Sequence, residues 1–194
     1  HILNPGLEQR HTAEYSIEKF LVLQLHTTPR PNSVEADAII RAINIWQNTG
    51  GKLYIVHMST AEGADMIKEA QQKGINVLAE TCPQYLVLND NLFNDKDNPD
   101  AHLYATCPQI KKPADSNRLW QGLSDNNNEI SIISTDTCSF TRKQKNVWQN
   151  DFTKVPMGMP GLDTMIPLIY TYGVKTNKIT INKLVQLCST NPAK

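Results

Sequence analysis

The chain has 194 residues, 40% hydrophobic and 20% charged, a length that buries one core and a composition ordinary for a globular domain. Its 19 Lys and Arg balance 19 Asp and Glu, so no net field draws it to nucleic acid or to an anionic membrane surface. No apolar run reaches the roughly 18 residues of a membrane span, and four scattered cysteines without a CxxC pair suit a reducing, cytoplasmic setting.

The chain opens on HILNP and stops at Ala193-Lys194, just after an expected helix. The expectation is one domain over 1–194, truncated at both ends. VEADAIIRAINIWQN (34–48) places Val34, Ala38, Ile39, Ala42, Ile43 and Trp46 on one helical stripe. Asn32 with Glu35 has capping-box spacing, and Gly50-Gly51 ends the helix. LYIVH (53–57) reads as a continuous apolar strand. Ser59 with Glu62 repeats the capping-box spacing before a helix over AEGADMIKEAQQK, closed by Gly74. INVLAET (75–81) is the next strand, then a short strand near LYAT (103–106) and a helix around RLWQGL. EISIIST (129–135) is a further strand, followed by two helices over GLDTMIPLIYTYG and ITINKLVQLCST. Apolar strands separated by helices predict an α/β fold of parallel βαβ units buried on both faces. Two longer stretches, 89–101 and 138–161, are expected to form site-shaping loops.

In parallel α/β folds the working residues sit at the carboxyl ends of strands. His57 ends LYIV and Asp136 ends EISIIST, while His1 stands where a preceding strand would end. Two imidazoles and a carboxylate suit a divalent ion such as zinc, which takes His nitrogen and carboxylate oxygen. Each residue alone also admits a plainer role, as a core histidine, a helix cap or a terminus, so spacing leaves the metal site one of several readings.

Longer motifs narrow the choice. LYIVHMST followed by AETCPQYLVL (79–88) resembles the dihydropyrimidinase and D-hydantoinase branch of the cyclic amidohydrolases. LHTTPRPNSVEADAIIRAI, YATCPQIKKP, STDTCSF, QKNVWQNDFTKVPMGMPGLDT and STNPAK resemble further segments of that family, in the same order. The resemblance implies a (β/α)8 barrel, of which this chain would be the C-terminal half, about strands 5–8. It implies a binuclear zinc site in which His1, His57 and Asp136 are metal ligands. The family's HxH pair and bridging carboxylated lysine have no counterpart in this chain. The implied reaction is ring opening of a dihydropyrimidine or hydantoin by a metal-bound hydroxide, as in pyrimidine catabolism, with Asp136 shuttling the proton. The substrate would be gripped through backbone groups at Cys107 and Met157, and the full-length assembly would be a homotetramer or homodimer. The isolated chain, lacking the bridge, is expected to be inactive.

Departures from the family pattern are local. Thr137 stands where the family carries the histidine of TDH, Lys111 where it has an arginine, and HILNP stands for HAENG. Cys107 is expected to be a buried inert thiol, His26 and Arg30 part of a structural loop, and His11 and His102 surface residues. The alternatives are a non-catalytic dihydropyrimidinase-related assembly protein and an allantoinase or dihydroorotase. Retention of His1, His57, Asp136 and ETCPQYL favours the enzyme over the assembly protein. Cys82-Pro83-Gln84-Tyr85 stands where dihydroorotases carry PHH.

Overall fold

A computed structural model describes residues 30–94, 98–148 and 151–194. Helix α1 (Asn32–Thr49) leads into strand β1 (Leu53–Met58), helix α2 (Ala61–Gln72) and strand β2 (Val77–Thr81). Short helices α3 (Pro83–Val87) and α4 (Asn91–Asn94), a 3-10 turn (Ala101–Tyr104) and helix α5 (Pro113–Leu123) follow. The described part then runs through strand β3 (Ile132–Ile133), helix α6 (Arg142–Lys145), α7 (Met165–Ile169) and α8 (Ile181–Val185). The last two each relax into a wider π turn, over Tyr170–Val174 and Gln186–Thr190.

The sheet has the order β1-β2-β3, and both pairings are parallel, as expected. All described strands therefore present their carboxyl ends at one edge. Helix α1 forms on the stripe read from the sequence: Val34, Ala38, Ile39, Ala42 and Ile43 are buried. It stops where Gly50 and Gly51 take φ of +68° and +98°, conformations that cost residues with a Cβ. Inside, Met58, Ile67, Val77, Ala79, Leu119 and Ile133 belong to one cluster that joins the sheet to its helices.

Both faces of the sheet were expected to be buried, and the structure differs. Val77 and Ala79 on one face of β2 are buried, whereas Leu78 is 44% exposed, and Tyr54 and Val56 of β1 are 43% and 42% exposed. Helices cover the first face. The second lines a concavity of about 510 Å³ whose walls include Tyr54, Leu78, Ile132, Leu162 and Asn191. An unbroken apolar run reports that a strand has two apolar faces, not what covers each.

Several local expectations are corrected. Neither capping box forms: Pro31 caps α1, and the side chain of Asn32 instead donates to Asp115 at 2.8 Å. Thr60, not Ser59, caps α2 by accepting from the Gly63 N–H at 3.0 Å. A capping box does form at α6, where Thr141 and Gln144 exchange bonds of 2.8 and 3.2 Å. The stretch near LYAT is a 3-10 turn rather than a strand; the Leu103 N–H finds the Asp100 carbonyl at 2.9 Å. The strand expected over 129–135 contracts to Ile132–Ile133: the Glu129 carbonyl accepts from the Gln71 side chain at 3.1 Å and the Ile130 N–H donates to the Gly122 carbonyl at 3.2 Å, which takes both out of the ladder. His102, expected on the surface, is buried, its ring bonded to the Pro99 carbonyl and the Asn146 side chain. The π turn at Tyr170–Val174 brings Gly173 against Trp120, where a Cβ would sit 2.8 Å from the indole ring.

Candidate functional site

The carboxyl edge of the sheet is built from tight turns. Along β1 the register advances from Ile55 opposite Ala79 to Met58 opposite Thr81. That is three residues against two, a bulge at Val56-His57. His57 absorbs it with φ of +42°, an uncommon conformation for a residue with a Cβ. Its N–H donates to a Glu80 carboxylate oxygen at 3.4 Å, and Glu80 also accepts from the Tyr54 hydroxyl. Burial, followed by that bond, pushes the Tyr54 phenol well up. Bulges beside sites re-aim a side chain, and this one lies at the residue singled out as a ligand.

Asp136 lies three residues beyond Ile133 and takes φ of +44°. Thr81 pairs with both Met58 and Ile133, so His57 and Asp136 stand at the same edge with β2 between them. The strand axes are on the order of 10 Å apart. Asp136 is exposed and His57 half-buried. The Asp136 charge reaches the residues that follow β2. Burial first, then Glu80 and Asp136, push the Cys82 thiol well up, while Ser134 bonds to it. Tyr85, fully enclosed, is raised by burial and by the charges of Cys82, Glu35, Asp136 and Cys107.

The loops proposed from sequence to hold a substrate meet this edge. The Tyr85 hydroxyl donates to the Pro108 carbonyl at 3.0 Å, tying helix α3 to the Cys107-Pro108 step, which is cis. Cys107 is half-buried rather than buried. The Gly158 N–H donates to the Ala105 carbonyl at 3.0 Å, and the Cys138 N–H to the Met159 carbonyl at 3.1 Å. Met157 is half-buried, beside Gly158. The stretches carrying Asp136, Cys107 and Met157 are thus joined by main-chain bonds. His1, His11 and His26 lie outside the described residues.

Sequence reasoning missed the carboxylates that set these turns. Glu35 accepts from the N–H and hydroxyl of both Ser59 and Thr60, at 2.5 to 3.2 Å. Asp115 accepts from Asn32, from the Ala61 N–H at 2.8 Å and from the Lys112 N–H at 3.2 Å. Lys111 lies close by and donates to the Arg30 carbonyl at 2.9 Å; burial lowers its pKa. The usable signal was the adjacent Ser59-Thr60 pair, whose buried donors require an acceptor from elsewhere in the chain.

In donor chemistry, His57 and Asp136 fit a hard or borderline divalent ion. Among the described residues no group of three His, Cys, Asp or Glu side chains converges closely enough to hold one.

The class so defined is a parallel α/β unit that gathers an imidazole, a carboxylate and two main-chain loops at the carboxyl edge of its sheet. No family model matches the chain. A D-hydantoinase from Geobacillus stearothermophilus is 38% identical over 170 residues, 87% of this chain and 36% of that protein. A D-phenylhydantoinase from Escherichia coli is 34% identical over 184 residues, 94% of this chain and 39% of the relative. The crystal structure of dihydropyrimidinase from Brevibacillus agri superposes with a TM-score of 0.88 at 32% identity, covering 100% of this chain and 42% of that one. A D-hydantoinase from a Bacillus species gives the same TM-score, 0.88, and the same coverage. The chain belongs to the hydantoinase and dihydropyrimidinase branch of the cyclic amidohydrolases. It spans less than two fifths of the length of these curated relatives, 36% and 39%.

Proposed function

We propose that this chain is a single domain forming the C-terminal half, about strands 5–8, of a (β/α)8 amidohydrolase barrel, and that the protein it serves opens the C–N bond of a cyclic amide. A dihydropyrimidine or hydantoin is the substrate class, in keeping with the names of the relatives. The observation that carries the reading is the pairing of His57 and Asp136, both in left-handed backbone at the carboxyl edge of one parallel sheet.

In this reading His57 and His1 hold one divalent ion and Asp136 a second, zinc being the ion that their donors suit best. When bound, such ions polarise a carbonyl and lower the pKa of water to near 7. The residues of this chain do the rest. Asp136, exposed at this edge, accepts a proton at a carboxylate oxygen and returns it to the departing ring nitrogen. Main-chain groups at Cys107 and Met157 hold the planar amide of the ring, which leaves their side chains free to differ from those of relatives. The assembled protein is a homotetramer or homodimer.

The test is loss of ring absorbance from hydantoin and dihydrouracil, with metal content measured in parallel, using the complete product of the gene. Turnover that vanishes in His57→Asn and Asp136→Asn, with less metal bound in both, is the expected result. A folded, zinc-replete protein that opens neither ring overturns the proposal.

A further inference from the structure

Lys145 is the least expected residue near the candidate site. It closes the four-residue helix α6, yet it is only 2% exposed. Lysines are seldom buried to this degree without a specific partner. Its Nζ donates to the Ala105 carbonyl at 2.6 Å, and that carbonyl also accepts from the Gly158 N–H at 3.0 Å. Ala105 is itself fully buried. One oxygen thus joins three segments: the loop leading to Cys107, the loop carrying Met157 and Gly158, and α6.

The second loop has no slack. Gly158 has φ of +153°, and a Cβ there would lie 2.5 Å from the Cys138 carbonyl oxygen and 2.6 Å from the Cys138 Cβ. The Cys138 N–H in turn donates to the Met159 carbonyl. The 157–159 loop is therefore pressed against the segment that follows Asp136, and its Gly158 N–H is anchored on the Ala105 oxygen. Desolvation is what acts most on the Lys145 ammonium, bringing its pKa down to about 8. An amine kept in so unfavourable a place, when an apolar residue would pack there at less cost, is held for the bond it makes.

We propose that Lys145 is a positioning residue, whose bond to the Ala105 carbonyl fixes the spacing between the Cys107 and Met157 segments and so sets how tightly a ring substrate is gripped. The inference rests on the reading of those two segments as the substrate-holding pair. Lys145 contacts the loops rather than the reacting atoms, so its loss acts on binding more than on turnover.

The experiment compares wild type, Lys145→Met and Lys145→Arg in the complete gene product. Lys145→Met fills similar volume without a donor and raises KM for hydantoin on the order of tenfold with kcat changed less than threefold. Lys145→Arg keeps a donor and recovers most of the loss. Amide hydrogen exchange reads the geometry independently of activity: Lys145→Met loses protection at 157–159 while the β1 and β2 amides keep theirs. If Lys145→Met does not fold, Lys145→Gln, too short to reach the carbonyl, takes its place. Unchanged protection at 157–159 overturns the inference, as does an unchanged KM in an active enzyme. Lost protection in a wild-type background that opens no ring leaves the loop clasp standing and refutes only the functional reading.

Discussion

The Glu35 carboxylate accepts from the backbone N–H of Ser59 at 3.0 Å and from its hydroxyl at 2.5 Å, although 24 residues separate them. Helix α1 thereby reaches into the turn after β1, two residues beyond His57. The same carboxylate accepts from the Thr60 N–H and hydroxyl, at 3.0 and 2.7 Å. Ser59 and Thr60 are fully buried, so their donors depend on this acceptor. The bulged conformation of His57 is held between this clamp and the Glu80 bond to its N–H.

Replacing Glu35 by Ala leaves these donors without their acceptor. The expected cost is about 2–4 kcal/mol of unfolding free energy, read from urea denaturation at neutral pH. Glu35→Gln, which keeps one acceptor oxygen, falls between wild type and Glu35→Ala. Equal midpoints for all three proteins would show the clamp to be energetically idle.

Gly63 lies inside α2, where alanine ordinarily stabilises a helix by up to about 1 kcal/mol. Here a Cβ would sit 2.7 Å from Glu35 Oε1, 2.9 Å from Thr60 Oγ1 and 3.0 Å from Ile39 Cδ1. The overlap falls on the clamp itself. Gly63→Ala is expected to lower stability by about 1–3 kcal/mol, and a rise in melting temperature would contradict this packing.

Three of the four thiols separate by environment. Cys138 is exposed, Cys188 is half-buried with its pKa pushed up to about 11 by burial, and Cys82 is fully buried with its thiol raised further. At pH 8 about one thousandth of Cys188 is thiolate. Labelling with a thiol reagent, followed by peptide mapping, is expected to modify Cys138 before Cys188, and Cys82 only on unfolding. Early labelling of Cys82 would contradict its burial.

Lys145 gives stability a dependence on pH. Its ordinary pKa is 10.5, and in the fold it is about 8. Between these values the unfolded chain binds the extra proton, so raising the pH favours the folded state. The difference in unfolding free energy between wild type and Lys145→Met is therefore expected to move in favour of wild type from pH 8 to about 9.5. It stays flat below pH 7, where Lys145 is protonated in both states. A difference independent of pH across the whole range would show that the ammonium is not disfavoured in the fold.

Periodicity alone established much of the architecture. The stripe from Val34 to Ile43, the Gly50-Gly51 stop and the apolar runs at 53–57 and 75–81 each record an interaction within a few residues, so α1, α2, β1 and β2 were legible. The ordered motifs carried the family. His57 and Asp136 were legible as strand-end residues because a strand's end is itself a local signal.

Tertiary structure decided what depends on partners distant in the chain. Glu35 has the spacing of a capping box with Asn32 but spends its acceptors on Ser59 and Thr60, since four buried donors outweigh one exposed cap. Glu129 reads as part of a strand, yet its carbonyl accepts from the Gln71 side chain and its buried carboxylate pairs with Arg118, both away from the ladder. The exposure of Tyr54 and Leu78 depends on what covers the sheet, which no strand encodes for itself. Lys145 sits in a short polar run that reads as surface, and only the fold sets the buried Ala105 oxygen over it. Sequence fixes which groups need a partner within a turn or a strand; which distant group answers is settled by packing, because only the closed fold removes water as the competing partner.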